Sequence, residues 1–111
     1  MKKHRMNVRS DIYQNIATGK KVIESRLYDE KRQVINVGDQ IIFWHNEQPE
    51  AGLIAVVTEV LRYPTFKELF DNHDPALFGE EDRDFLLNQI KQFYSDEDEE
   101  RFGVVGIRFK I

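Results

Sequence analysis

Cysteine is absent from the 111-residue chain. That excludes disulfide staples, thiolate zinc sites and a cysteine nucleophile. No apolar run approaches the length of a membrane span. The basic opening Met1-Lys2-Lys3-His4-Arg5 is not followed by the apolar stretch of a secretory signal. A cytoplasmic protein without membrane contact is expected. The chain has no glycine-rich phosphate loop, nucleophile elbow or paired-histidine metal motif. No metal or other cofactor is expected. His4, His45 and His73 are scattered and read as surface or strand residues, and nothing local supports a Ser-His-Asp triad. Repeats, low-complexity segments and interdomain linkers are also missing, so residues 1–111 read as one domain.

What is present suits a soluble globular domain, with 41% apolar and 32% charged residues. The net charge of -4 argues against a general coat for nucleic acid. Its distribution is uneven. Residues 1–32 carry nine Lys/Arg against four Asp/Glu, and residues 33–111 carry seven against sixteen. An anionic ligand would be drawn to the first third, although solvated surface alone can produce such asymmetry.

The chain centres on Gly19-Lys20-Lys21-Val22-Ile23-Glu24-Ser25-Arg26. Before it, Met6–Val8 reads as a short strand. Ser10 is placed as the cap of a helix with Ile12, Tyr13 and Ile16 on one face. Gly19 ends that helix in the left-handed conformation. Residues 20–28 then read as a strand. Alternation puts Val22, Glu24 and Arg26 on one face, and Lys21, Ile23 and Ser25 on the other. Lys21 can join Glu24 only from a turn before regular pleating, or through a bulge. Tyr28 to Gln33 reads as a loop or a single helical turn.

Further on, Gln40–His45 and residues 51–62 read as an antiparallel hairpin around a turn at 46–50. The first of these strands is apolar on both faces and should be central. Thr65 starts a short helix with Glu68 at capping-box spacing, and Asp74-Pro75 breaks it. Glu80 to Tyr94 reads as the longest helix, with Leu86, Ile90, Phe93 and Tyr94 on one stripe. Ser95 caps a further helical turn carrying the acidic run Asp96–Glu100. That run reads as solvated surface, since no ligand spacing makes it a metal site. Phe102 to Ile111 is the last strand. The sum is an α+β chain whose strands form a small curved sheet or barrel, with helices inserted between them and covering its ends.

Lys21, Glu24 and Arg26 form the dense polar cluster on a predicted strand. Structurally, Glu24 and Arg26 would make a salt bridge at a barrel mouth. Functionally, Lys21 and Arg26 would receive an anionic or carbonyl-bearing ligand, with Lys20 adjacent. A carboxylate between cations stays ionised and acts as an acceptor. A lysine in a cleft loses its proton more readily than one in water and can act as base or nucleophile.

These eight residues resemble the G-x-K-x-x-E-x-R signature of the ASCH domain family. The likeness extends in order through Val37-Gly38-Asp39, Tyr63-Pro64-Thr65-Phe66 with Lys67–Phe70, and Tyr94 with Phe102–Ile107. It implies a PUA-like fold, a small mixed β-barrel with a cleft lined by the signature. Relatives of that fold bind RNA or modified nucleosides. One branch with a similar Gly-x-Lys segment removes the acetyl group of N4-acetylcytidine. There the lysine is followed three positions on by threonine, and a later glutamate assists. Here Glu24 stands where the threonine would be, and Glu80 and Glu81 are the nearest candidates for the later glutamate. The match is to the broader family.

The first expectation is therefore a binding module holding an RNA segment or nucleotide. Lys21, Arg26 and Lys20 would meet phosphate or carbonyl oxygens, and Glu24 would accept from a base amino group. Trp44 would stack on a base if it lines the cleft, but its doubly apolar strand places it in the core. The alternative is a hydrolase of a modified nucleoside, with Lys21 as base or nucleophile and Glu24 orienting water. Ribonuclease activity, attributed to ASCH relatives, is a further alternative. A third reading is a protein-interaction module using the acidic residues 80–100.

Overall fold

The computed structural model describes residues 1–48 and 50–111. The predicted turn at 46–50 includes Pro49, which lies outside the described residues. The strands are β1 (Lys3–Val8), β2 (Ile23–Leu27), β3 (Gln40–His45), β4 (Gly52–Tyr63) and β5 (Val104–Lys110). The helices are α1 (Ser10–Ala17), α2 (Glu30–Gln33), α3 (Phe66–Asp71), α4 (Arg83–Ile90) and α5 (Asp96–Phe102), with a 3-10 turn at Pro75–Leu77.

The five strands make one curled sheet in the order β1-β3-β4-β5-β2. β1 runs parallel to β3, and the other neighbours are antiparallel. The sheet forms a half-barrel, with β1 and β2 as its two edges. Alternation divides β1, β3 and the first part of β4 between core and outside, whereas β2 and β5 are buried at nearly every position. Met6, Val8, Ile41, Phe43, Ala55, Val57, Ile107 and Phe109 fill one core with Ile16 of α1. A second core joins Ile23, Leu27 and Val104 to α3 and α4 through Phe66, Leu69, Phe70 and Leu86.

Several boundaries differ from the sequence reading, each for a local reason. Ser10 is the first helical residue. Arg9 holds the cap position in extended geometry, without a side-chain cap bond. Gly19 adopts φ +81°, as expected after that helix. Regular pairing of β2 starts only at Ile23, because the backbone before it is used elsewhere. The Lys21 amide donates to the Asn15 carbonyl and the Val22 amide to the Leu77 carbonyl. Tyr28–Gln33 resolves into the turn α2, capped by Asp29.

The long helix predicted over 80–94 is shorter. Asp82 caps it by accepting from the Asp84 amide, and it ends at Ile90. It is eight residues long, the same as α1. Ser95 caps α5 through a capping box with Asp98. The acidic run is not wholly solvated. Glu99 is buried and its Oε1 accepts from the Phe66 amide at 2.8 Å, while Lys91 pairs with Glu99 and Asp96. Trp44 belongs to neither core. It is half-buried on the outer face of β3, because Ile41 and Phe43 already take the inward positions.

Candidate ligand cleft at the seam of the half-barrel

The signature segment lies where the two edges of the sheet approach each other. Arg26 on β2 reaches across and donates through Nη2 to the Asn7 carbonyl of β1 at 3.3 Å. The guanidinium thus bridges a seam that no strand pairing closes.

Lys21 sits before the regular pleat, in a single bridge opposite Phe78. This is the turn position allowed by the sequence reading, and it frees the side chain from strict alternation. Gly79 lets it lie there. A Cβ at Gly79 would come within 3.2 Å of Lys21 Cβ, and Gly79 adopts φ +88°. Lys21 Nζ then donates to Glu24 Oε1 at 3.1 Å. The Ser25 amide donates to the same oxygen at 3.0 Å. Arg26 Nη2 stands 3.7 Å from Glu24 Oε2, an ion pair beyond hydrogen-bond reach.

Lys21 and Glu24 are buried, at 8% and 6% exposure. Burial by itself pushes the Glu24 carboxyl up. The charges of Lys21 and Arg26, the Lys21 hydrogen bond and the Ser25 amide outweigh it, and hold the carboxyl below its ordinary value. Glu24 is therefore a carboxylate at neutral pH. Its Oε1 takes two hydrogen bonds, while Oε2 takes none among the described residues.

These three side chains line a cleft of about 270 Å³. Its other walls are contributed by Asn7 and Arg9 at the end of β1, Asn46 after β3, and Gln89, Phe93 and Tyr94 from α4 and the turn after it. Phe93 is 62% exposed at the rim. Behind Lys21 and Glu24 lies an inner chamber of about 50 Å³, which also takes in Asn15, Glu80 and the apolar Phe70, Phe78 and Leu86. The cleft thus pairs cations with one ionised acceptor and an aromatic wall.

Lys20, also placed at the site by sequence, is exposed and lines neither space. Glu80 lines the inner chamber, whereas Glu81 is exposed and does not. Trp44 does not line the cleft. Nor do the histidines. His4 pairs with Asp39 at 2.8 Å, His73 with the Tyr63 hydroxyl at 3.0 Å, and His45 Nδ1 accepts loop amides. No group of three or more metal-ligating His, Asp or Glu side chains occurs among the described residues. Sequence reasoning missed Arg9, Asn7, Asn46 and the cleft position of Phe93. Helical spacing put Phe93 on the apolar stripe of one long helix, and its rim position follows from α4 ending at Ile90.

The sequence model of the ASCH domain matches residues 6–111. The chain belongs to the ASCH domain family. Among solved structures, this ASCH domain is similar to hypothetical protein PH0355, at 34% identity and TM-score 0.85 over 97% of each chain. Protein PF0455 from Pyrococcus furiosus is 30% identical, with TM-score 0.75 over 97% of this chain and 96% of its own. The ASCH protein of Zymomonas mobilis shares the fold at TM-score 0.73 and 12% identity, over 99% of this chain and 68% of its own. No curated protein is similar enough to match the chain. The half-barrel with its inserted helices is the ASCH, PUA-like fold. No helix among the described residues is long and apolar enough to cross a membrane.

Proposed function

We propose that this ASCH domain is an RNA- or nucleotide-binding module whose ligand sits in the cleft lined by Lys21, Glu24 and Arg26. The observation that carries this reading is the unspent oxygen of Glu24. A buried, ionised carboxylate usually satisfies its acceptor capacity. Here Oε2 has only the ion pair with Arg26 among the described residues and is open to solvent from the cleft, since the sealed polar atom without a partner is Trp44 Nε1. A base amino group is a fitting donor, as cytosine N4 is for carboxylates. Arg26 spends one donor on Asn7 and keeps others for phosphate or carbonyl oxygens. Phe93 and Tyr94 offer rings against which a base can stack. At about 270 Å³ the cleft suits one splayed nucleotide and not a base pair.

The test is a titration with nucleotides and short single-stranded RNA, read by calorimetry. Arg26→Ala should weaken binding roughly tenfold or more, as expected for a lost charge-assisted contact, with circular dichroism unchanged. Unchanged affinity removes Arg26 from the site.

A second reading, hydrolysis of a modified nucleoside, draws on the inner chamber, where Glu80 and Lys21 line one space. Product chromatography after incubation with N4-acetylcytidine decides it. Absence of turnover with excess protein dismisses deacetylation.

A further inference from the structure

The outer face of β1, β3 and β4 belongs to neither core. Strand register arranges it in three rows. The first is Lys3, Gln40, Val56 and Lys110; the second is Arg5, Ile42 and Ile54; the third is Asn7, Trp44 and Gly52. Ile54 and Val56 are 57% and 40% exposed, and Lys3, Arg5 and Lys110 are exposed too. Ile42, Ile54 and Val56 thus form an apolar strip between these cations.

The indole of Trp44 lies beside Gly52 of β4. A Cβ at Gly52 would come within 3.3 Å of its Cζ3, so a side chain there would displace the ring by a few tenths of an ångström. The Arg5 guanidinium stands 4.6 Å from the ring centroid. Ring and guanidinium together make a stacking platform, the pairing that single-stranded nucleic acid uses.

We propose that this face is a track for single-stranded RNA, continuing from the nucleotide held in the cleft. The inference rests on the cleft reading above. Three features select this occupant. The three rows carry Lys3, Arg5 and Lys110, and the carboxylate on the next rung of this face, Glu59, is paired with Arg108 at 3.6 Å, in a chain of net charge -4. Asn7 belongs both to the cleft wall and to the Trp44 row, so the two surfaces are continuous. From Asn7 to Lys3 the track runs about 13 Å along β1, at ~3.3 Å per residue. A second copy of the chain fits poorly, because a two-fold pairing of this face sets cations against cations.

Trp44 is the only tryptophan, so its fluorescence reports on this surface alone. The full chain is titrated with uridine monophosphate and with an oligouridylate of about eight nucleotides. The oligomer should quench Trp44 and the monophosphate should not. Trp44→Leu and the pair Lys3→Gln/Arg5→Gln should each weaken the oligomer roughly tenfold by calorimetry, with monophosphate affinity unchanged and melting profiles retained. If Arg26→Ala weakens the oligomer while the outer-face variants and the fluorescence are unaffected, the track is overturned and the cleft reading stands. If neither probe binds, both fall. Quenching by polyglutamate equal to that by oligouridylate overturns the track as a nucleic-acid surface. So does a dimer in sedimentation that Trp44→Leu dissociates.

Discussion

At the scale of single residues, the chemistry depends on Glu24 and Lys21 neutralising each other in a buried place. Removing one partner of such a pair leaves the other charged and dry. Glu24→Ala should therefore destabilise the fold by about 3–5 kcal/mol in urea denaturation. The double variant Lys21→Met/Glu24→Leu should recover most of that loss, since apolar isosteres often replace a buried pair at little cost. It should still fail to bind nucleotide. A double variant that is stable and binds normally would show that the pair serves neither purpose.

At the scale of elements, the turn Phe78-Gly79 and strand β2 are locked together through Lys21. Gly79→Ala forces a side chain into left-handed backbone, at a cost of roughly 1–2 kcal/mol, and pushes on Lys21. Melting temperature should drop and nucleotide affinity should fall with it. An affinity unchanged at reduced stability would separate the turn from the cleft. Another element-level clamp joins β1 to the turn before β3. Asp39 accepts from His4, from the Asn36 amide and from the Lys2 amide. The His4 hydrogen bond first, then those amides, hold its carboxyl at about 2, against an ordinary 3.8. A depressed carboxyl stabilises the fold fully above its ordinary value and loses that contribution as pH falls through the folded one. Thermal stability should therefore decline from about 3.8 down to about 2. Asp39→Asn should flatten part of that decline, as read by melting across an acid series.

At the scale of the whole molecule, the charge asymmetry becomes spatial. Cations from the first third supply the cleft and, with Lys110, the outer face, while exposed acids occupy α5. Affinity for RNA should fall with salt by a slope of about 0.7 per phosphate contacted. A mononucleotide in the cleft should give a slope near one such contact, and a longer strand a steeper one. A salt-independent affinity for both would argue that charge plays no part in binding.

Much of the fold was legible because its signals are local. The apolar run in Gln40–His45, the caps at Thr65 and Ser95, and the left-handed stop at Gly19 each depend on residues within a turn of one another. The signature likewise brought Lys21, Glu24 and Arg26 to attention, and alternation showed that Lys21 could reach Glu24 only from outside the pleat. Which exit it takes was decided by Asn15, which accepts from the Lys21 amide, by Leu77, which accepts from the Val22 amide, and by Gly79, which leaves room for the Lys21 side chain. The walls formed by Arg9, Asn46 and Phe93, and the outward seat of Trp44, came only from tertiary structure. Period and propensity act along the chain, whereas a cleft forms where curling of the sheet brings its two distant edges together.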